Sequence, residues 1–495
     1  MKVLLLYPGF PDTFWSFRHA LPFIGKRSSF PPLGLLTVSA MLPPHWERKL
    51  VDVNVEKLRD RDIEWADVAF LSAMLVQGPS LRQLIERCRK AGLRTVVGGP
   101  VTSSENPSYE GADHIVRGEA ENLIDDLVAD LEAGTAKRFY DAPARADITR
   151  VPPPDFSIAR MNKYSSMPVQ YSRGCPFNCE FCDVIELFGR VPRIKTAHQV
   201  LQEFEQLYRL GWRGSVFIVD DNFVGNRQAI KGLLPRITDW MASRGNPFFL
   251  FTQASINLAE DEELLSLMKA ARFSKVFIGI ETPSAECNRA AGKMQNVKAD
   301  LLECVKRIQE SGMEVMGGFI VGFDQDTPDT FQRQIDFIRE AAIPVSMVGL
   351  LTALPNTQLW RRLSEEGRIL RQSMGDNTDA LLNYMPTMNP EALLAGYRKV
   401  LASIYSPSEY FERTLVLLKR LGSRPRTRLV FSDYVGLFRS FVRQGIIARY
   451  RVAYWRFIAR ALRCAPKHLG VAVTLAIMGH HFFTLARRMQ TKPSR

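Results

Sequence analysis

Short apolar, β-branched-rich runs alternate with helical patterns twice along this chain. That alternation restricts the fold more than any other feature. Between residues 1 and 131 the runs are KVLLLYP (2–8), RKLVDVNV (48–55), VAFLSAML (68–75), RTVVGGP (94–100) and DHIVRGE (113–119), bounded by Gly, Pro or Asp. In SLRQLIERCRKAG (80–92), Leu81, Leu84, Ile85 and Cys88 share one helical face and Gly92 suits its end. Such repetition predicts an α/β fold, here an open, doubly wound, Rossmann-like parallel sheet. Its ligands bind beyond the C-terminal strand ends, where YPGFP, SAML and VGGP fall. The alternation resumes with PVQYSR (168–173), GSVFIVD (214–220), FFLFTQA (248–254), KVFIGIE (275–281), EVMGGFIVG (314–322) and VSMVGLLT (345–352). Helices are expected between them at 197–210, 226–243, 261–271, 297–311 and 328–341. Six βα units are too few for an eight-fold barrel and predict a partial (β/α)6 barrel with its site at the C-terminal strand ends. The expected organisation is 1–132 doubly wound domain, 133–167 polar linker, 168–389 partial barrel and 390–495 helical region.

On the loop directly after the first barrel strand, Cys175, Cys179 and Cys182 form C-x3-C-x2-C. Four thiolates close a metal site; three leave a position open. A structural zinc needs a fourth Cys or His, and the next histidine, His198, is 16 residues on. Three free thiols can also be buried as small apolar residues. The third reading is a [4Fe–4S] cluster with three thiolate ligands and one open iron. The seven cysteines form no disulfide framework, which suits a reducing compartment. Cys88 and Cys304 fall in helical patterns, and Cys287 and Cys464 are isolated.

The cysteine motif, with Phe181 as the aromatic before the last cysteine, resembles the signature of the radical S-adenosylmethionine (SAM) superfamily. In that family the open iron chelates the amino and carboxylate groups of SAM, and reductive cleavage yields a 5′-deoxyadenosyl radical. The resemblance continues strand by strand: VDDNF (219–223), FTQAS (251–255), GIETPS (279–284), GGFIVGFDQDTPDTF (317–331) and LTALPNTQLW (351–360), with Asn356 where relatives carry glycine. It implies SAM-binding roles for Phe181, Asp220, Asp221, Asn222, Gln253 and Glu281. No second cysteine set precedes the barrel, which argues against methylthiotransferases.

A doubly wound domain before such a barrel resembles the cobalamin-dependent class of this superfamily. Ser72-Ala73-Met74 resembles that domain's serine motif, Gly98-Gly99 its glycine pair, and FPPLGLL (30–36) and VRGEAE (116–121) further segments. The implied cobalamin-binding residues are Ser72, Met74, Gly98, Gly99, Pro100, Gly118 and Glu119. Glycines let backbone approach a bulky nucleotide tail, and serine can donate to a ring nitrogen. The loop YPGFPDTFWSF (7–17) has no ligand histidine, so the lower cobalt face is expected to be bare or water-bound.

The net charge of +13 is uneven: residues 408–495 hold 18 Lys/Arg against 3 Asp/Glu. IIARYRVAYWRFIARALR (446–463) has helical period, with Arg449, Arg456, Arg460 and Arg463 in a narrow arc and Tyr450, Tyr454 and Phe457 on another face. Two readings stay open: a membrane-surface helix, and a solvated helix packed on the barrel by its aromatic side. The apolar run LGVAVTLAIMG (469–479) stops at His480-His481, short of the ~20 residues that span a bilayer. No nucleic-acid recognition module is evident.

The resemblance implies a C-methyltransferase acting on an unactivated carbon. The closest group carries a family-specific C-terminal helical region and includes hopanoid C-2 methylation, so the expected substrate is a polycyclic isoprenoid lipid. One SAM methylates cobalt, a second supplies the radical, and the substrate radical takes the methyl group. The other readings are a cobalamin-dependent radical oxidoreductase or cyclase, and a non-catalytic cobalamin-binding sensor. A flavodoxin- or ferredoxin-like electron donor is implied. The expected place is the cytoplasm, with peripheral contact at the inner membrane surface through the basic helices.

Overall fold

A computed structural model describes residues 1–376, 381–425 and 431–491. The N-terminal sheet is wholly parallel, with strands β1 Lys2–Tyr7, β2 Glu47–Asp52, β3 Val68–Ser72, β4 Arg94–Gly98, β5 His114–Arg117 and β6 Phe139–Asp141 in the order β2-β1-β3-β4-β5-β6. The strands are nearly continuous apolar runs because helices cover both sheet faces. Among these helices are α1 Leu33–Met41, α2 Gly78–Lys90 and α3 Ile124–Ala133. Leu81, Leu84, Ile85 and Cys88 of α2 are buried, as their spacing predicts. Strand order reverses at β1, so the crevice where such sheets take ligands opens between the ends of β1 and β3. The segment expected to be a featureless linker differs: β6 lies within it and pairs with β5 from Ile115↔Phe139 to Arg117↔Asp141. A three-residue edge strand carries too little periodicity to be read locally.

The second sheet is also parallel, with β7 Ser166–Val169, β8 Gly214–Ile218, β9 Phe248–Ala254, β10 Phe273–Glu281, β11 Glu314–Val321 and β12 Ser346–Leu350 in sequential order. Helices α4 Ala197–Arg209, α5 Arg227–Ser243, α6 Glu262–Ala270, α7 Leu301–Glu310 and α8 Thr330–Glu340 cross between successive strands. This is a six-stranded open barrel. Its first strand is shorter than expected: β7 ends at Val169, and Ser172–Arg173 pair antiparallel with Arg193–Ile194 instead. The cysteine loop is thus a ribbon-based excursion, not a direct continuation of the strand.

Past α9 Gln358–Glu365 and the antiparallel bridge Ile369↔Tyr384, the described elements are helices: α10 Pro390–Ile404, α11 Pro407–Arg420, α12 Phe431–Ser440, a π-helical segment Phe441–Ile447, α13 Arg451–Cys464 and α14 Leu469–Thr491. The guanidinium of the buried Arg413 donates to Ile343 O (2.8 Å) and Ile404 O (2.9 Å), tying α11 to the turn before β12 and to the end of α10. The apolar run at 469–479 does not stop at the histidines, because α14 continues through them. Burial pushes both imidazoles down to about 4, and His481 Nε2 lies 3.1 Å from Phe14 O, so they pass through the helix neutral. By length and composition α14 could cross a membrane, but 56% of its apolar window is buried within the protein.

Candidate active site

The cysteine loop is held from beneath by the residues that end β8. Asp220 is fully buried and accepts from Tyr171 N (2.8 Å), Ser172 N (2.9 Å) and Ser172 Oγ (2.6 Å). Burial pushes its carboxyl up to about 7 against these donors. Asp221 accepts from Gly174 N at 3.0 Å, and burial raises it to about 6. Both were expected to face SAM. The structure commits both to the backbone of residues 171–174, and only Asn222 reaches the cysteines. Its Nδ2 lies 3.9 Å from Cys175 Sγ, while its Oδ1 accepts from Ser255 N at 3.1 Å.

Glycines bring the loop close to its supports. Gly174 has φ +97°, and a Cβ there would stand 2.8 Å from Gly189 O, whose carbonyl accepts from Cys175 N (3.1 Å). Gly292, at φ +71°, lets Asn178 O approach to 2.5 Å of where its Cβ would be. The loop therefore rests on the turn 291–292, which Glu180 N also bonds through Ala291 O (3.0 Å).

All three cysteines are free thiols, half-buried or buried, and burial raises the pKa of each. Among the described residues, only Asp12, His19 and His481 bring three potential donor atoms within 4.8 Å of one another. A tetrahedral structural zinc takes four Cys or His ligands, and this loop brings three thiols. Three thiols on one loop fit a cluster with one open iron.

Beside this loop lies a charge pair that spacing alone did not reveal. The register between β10 and β11 shifts at Gly279/Glu281, and Glu281 takes φ +62°, a costly conformation for a non-glycine residue. The bulge directs the Glu281 carboxylate onto the Lys293 ammonium, both side chains being about nine-tenths buried. A Cβ at Gly279 would fall 2.4 Å from Glu281 Oε1 and 2.7 Å from Lys293 Nζ, so glycine makes room for the pair. The Lys293 pKa is raised: burial opposes its charge, but Glu281 and the thiols of Cys179 and Cys182 outweigh it. Lys293 also lies 6.0 Å from the centroid of the Phe181 ring, which packs edge-on to Phe323. Gln253 is half-buried near the end of β9.

Alternate barrel positions carry aromatics on one face. Phe217 and Phe251 stack at 4.6 Å, Phe30 of the N-terminal domain joins them at 5.0 Å, and Trp15 meets Phe277 at 4.8 Å. The cue was present in FFLFTQA and KVFIGIE, but which face closes on the N-terminal segment is a tertiary property.

In the first domain, Gly99 has φ +89°, and a Cβ there would stand 2.6 Å from Ser72 Oγ. The Ser72 hydroxyl is half-buried at the β3 end, beside the strand-order reversal, and suits donation to a ligand ring nitrogen. Met74 is half exposed next to it, and Pro100 opens a 3-10 turn after the glycine pair. This cradle of small residues at the switch point fits a nucleotide tail. His19 turns away to Asp12 (2.9 Å) and offers nothing to that crevice.

Two residues expected in the cradle do other work. A Cβ on Gly118 would lie 2.8 Å from Ala142 Cβ, so this glycine admits the β6 segment. Glu119 accepts from Arg173 (2.7 Å), Arg193 (2.9 Å) and Ala146 N (2.8 Å), leaving it as a clamp between the domain and the cysteine-loop ribbon. Asn356, with φ +68°, adds a second tie through Nδ2 to Ser103 O (3.0 Å). Beside the second tie a cleft of ≈ 350 Å³ is lined by Leu75 and Ser103 of the first domain and by Asp183, Leu187 and Asn356 of the barrel. Ser72→Ala is expected to weaken cobalamin binding about fivefold, the value of one hydrogen bond, and Gly98→Trp to weaken it further by filling the groove. Anaerobic titration followed by cobalamin absorbance checks both.

Three family models match the chain: B12 binding domain over residues 27–128, Radical SAM superfamily over 169–338, and Domain of unknown function (DUF4070) over 357–494. An uncharacterized methyltransferase of Synechocystis sp. is 38% identical over 97% of this chain and 91% of its own length. The hopanoid C-2 methylase of Rhodopseudomonas palustris is 33% identical over 98% of this chain and 94% of its own. Among solved structures, the cobalamin-dependent SAM radical enzyme OxsB with aqua-cobalamin bound covers 99% of this chain and 84% of its own at TM-score 0.63 and 15% identity. The radical SAM methyltransferase TsrM of Kitasatospora setae, with cobalamin and [4Fe–4S] cluster bound, covers 99% of this chain and 100% of its own at TM-score 0.62 and 14% identity. At that identity the two structures bear on the fold alone.

Proposed function

This chain belongs to the cobalamin-dependent radical SAM methyltransferases, and from that premise we propose that it methylates an unactivated carbon of a polycyclic isoprenoid lipid, namely C-2 of a hopanoid. The observation that carries the substrate class is the aromatic face of Phe217, Phe251 and Phe277, closed by Phe30 and Trp15. A flat apolar ring system finds dispersion contacts there, with the Lys275 ammonium 5.8 Å from the centroid of the Phe251 ring. The 33% identical relative that is a hopanoid C-2 methylase supports the position.

When bound, the cluster and SAM supply a radical that removes hydrogen, and cobalamin supplies the methyl group. The chain's own residues then have three tasks. Cys175, Cys179 and Cys182 would hold the cluster on a loop fixed by Asp220 and Asp221. Glu281 offers a hydrogen-bond acceptor to the amino group of SAM, and Lys293 offers a cation to its carboxylate. Ser72, Gly98 and Gly99 would seat the cobalamin tail across the cleft from that loop, with the Glu119–Arg173 and Asn356–Ser103 ties setting the separation. No general base is required, because hydrogen leaves as an atom. A flavodoxin- or ferredoxin-like protein would reduce the cluster.

The test is an anaerobic assay of reconstituted protein with a hopanoid, measuring S-adenosylhomocysteine and 5′-deoxyadenosine together. The expected outcome is both coproducts with a methylated lipid. 5′-Deoxyadenosine without methylated product would identify an oxidoreductase or cyclase instead. Unchanged 2-methylhopanoids in a deletion strain that normally makes them would reject the substrate.

A further inference from the structure

The C-terminal hairpin presents apolar side chains outward where a soluble surface would carry polar ones. Tyr434, Leu437 and Phe438 of α12 and Phe441 at the start of the π-helical segment recur at i, i+3, i+4 and i+7 and are 57%, 49%, 67% and 43% exposed. The opposite side of α12 faces the protein: Gly436 packs on Ile24, and Arg439 donates to Pro22 O at 2.6 Å. The stripe continues across the π-helical turn. Phe441 meets Trp455 edge-on at 5.4 Å, and Trp455 Nε1 donates to Gly445 O (3.0 Å). Ile446 and Ile447 at the turn, and Val452 on α13, complete the ridge.

Charge along the hairpin is mainly positive: from Tyr434 to Arg463 the sequence holds 7 Lys/Arg and no Asp or Glu, with the exposed Asp433 just before the stripe. The arc read from sequence changes in the structure. Arg449 precedes α13, which begins at Arg451, and Arg460 is bonded to Glu412. The exposed arginines of the hairpin are Arg443, Arg449, Arg451, Arg456 and Arg463. The aromatic face of Tyr450, Tyr454 and Phe457 is not outward, because it packs on Phe411 of α11.

We propose that this hairpin inserts the Tyr434–Leu437–Phe438–Phe441 stripe, with Ile446, Ile447, Val452 and Trp455, into the interface of an anionic lipid bilayer. Exposed apolar side chains on a helical hairpin that also carries exposed arginines match a headgroup–acyl boundary. The surface also leads to the active site. α12 seats on residues 21–24, part of the same N-terminal segment whose Trp15 and Phe30 close the aromatic face of the barrel. Docking there would place at the bilayer the N-terminal segment that packs on the barrel aromatics. The purpose rests on the proposed lipid substrate, whereas the docking itself does not.

The test is anaerobic flotation of the full-length reconstituted protein with phosphatidylcholine vesicles, with and without phosphatidylglycerol. The wild type is expected to float with the anionic vesicles and to be released in part by salt. Phe438→Gln combined with Ile447→Gln, both at largely exposed positions, is expected to lower the partition at least tenfold while retaining SAM cleavage in detergent solution. Changing Arg449, Arg451, Arg456 and Arg463 to Gln is expected to cost about fivefold per arginine on anionic vesicles only. Failure of the wild type to float would overturn the proposal, as would apolar variants that bind like the wild type, since the charge alone would then be the attractant. Flotation without methylation of a dispersed hopanoid would leave the docking supported and reject the substrate. Methylation without flotation would do the reverse.

Discussion

Replacing Cys175, Cys179 or Cys182 singly by alanine is expected to abolish SAM cleavage, taking 5′-deoxyadenosine formation to the uncatalysed background, whereas Cys304→Ala should leave it intact. The difference follows from position. The first three thiols share one loop, tied by Cys175 N to Gly189 O and laid over Gly292. Cys304 is buried in α7 among core residues and fills space as a small apolar side chain. Iron and sulfide content, together with the absorption of anaerobically reconstituted protein, reads cluster loading separately from turnover. A wild-type protein that takes zinc and no iron–sulfur cluster would reject the assignment.

Lys293→Met is expected to cost about 3–5 kcal/mol of stability, because it leaves the Glu281 carboxylate buried without its counter-charge. It should also remove SAM cleavage. The two effects can be separated. Glu281→Gln with Lys293→Met removes both charges, and chemical denaturation should show much of the stability regained, since a buried pair contributes little net against neutral residues of similar size. SAM affinity should stay low in the double variant, because the cation and the carboxylate acceptor offered to the methionyl group are both gone. If the double variant instead binds SAM like the wild type, the pair is structural and SAM is held elsewhere. Gly279 makes the same point sterically, since any side chain there would enter the space of Glu281 Oε1 and Lys293 Nζ.

The two alternations of strand and helix, and the spacing of three cysteines, are local properties of the sequence. Strand period, helical period and a motif within eight residues are each settled by neighbours along the chain, so both sheets and the cysteine loop were legible without coordinates. The roles of single polar residues were not. Asp220 and Asp221 stand in the right motif, yet their carboxylates are taken by donors 47 to 49 residues earlier in the sequence. Glu119 meets Arg173 and Arg193, 54 and 74 residues away, and so became a domain clamp instead of a ligand. Lys293 has no motif of its own and acquires a role only because a bulge in β10 turns Glu281 toward it. In the tail, sequence determined the charge and the helical period, but tertiary packing chose the outward face. Tyr454 and Phe457 bury against Phe411, and Phe438 and Ile447 are left to solvent. A side chain's periodicity is set by the backbone it sits on, whereas its partner and its exposure depend on which distant surface the fold brings against it.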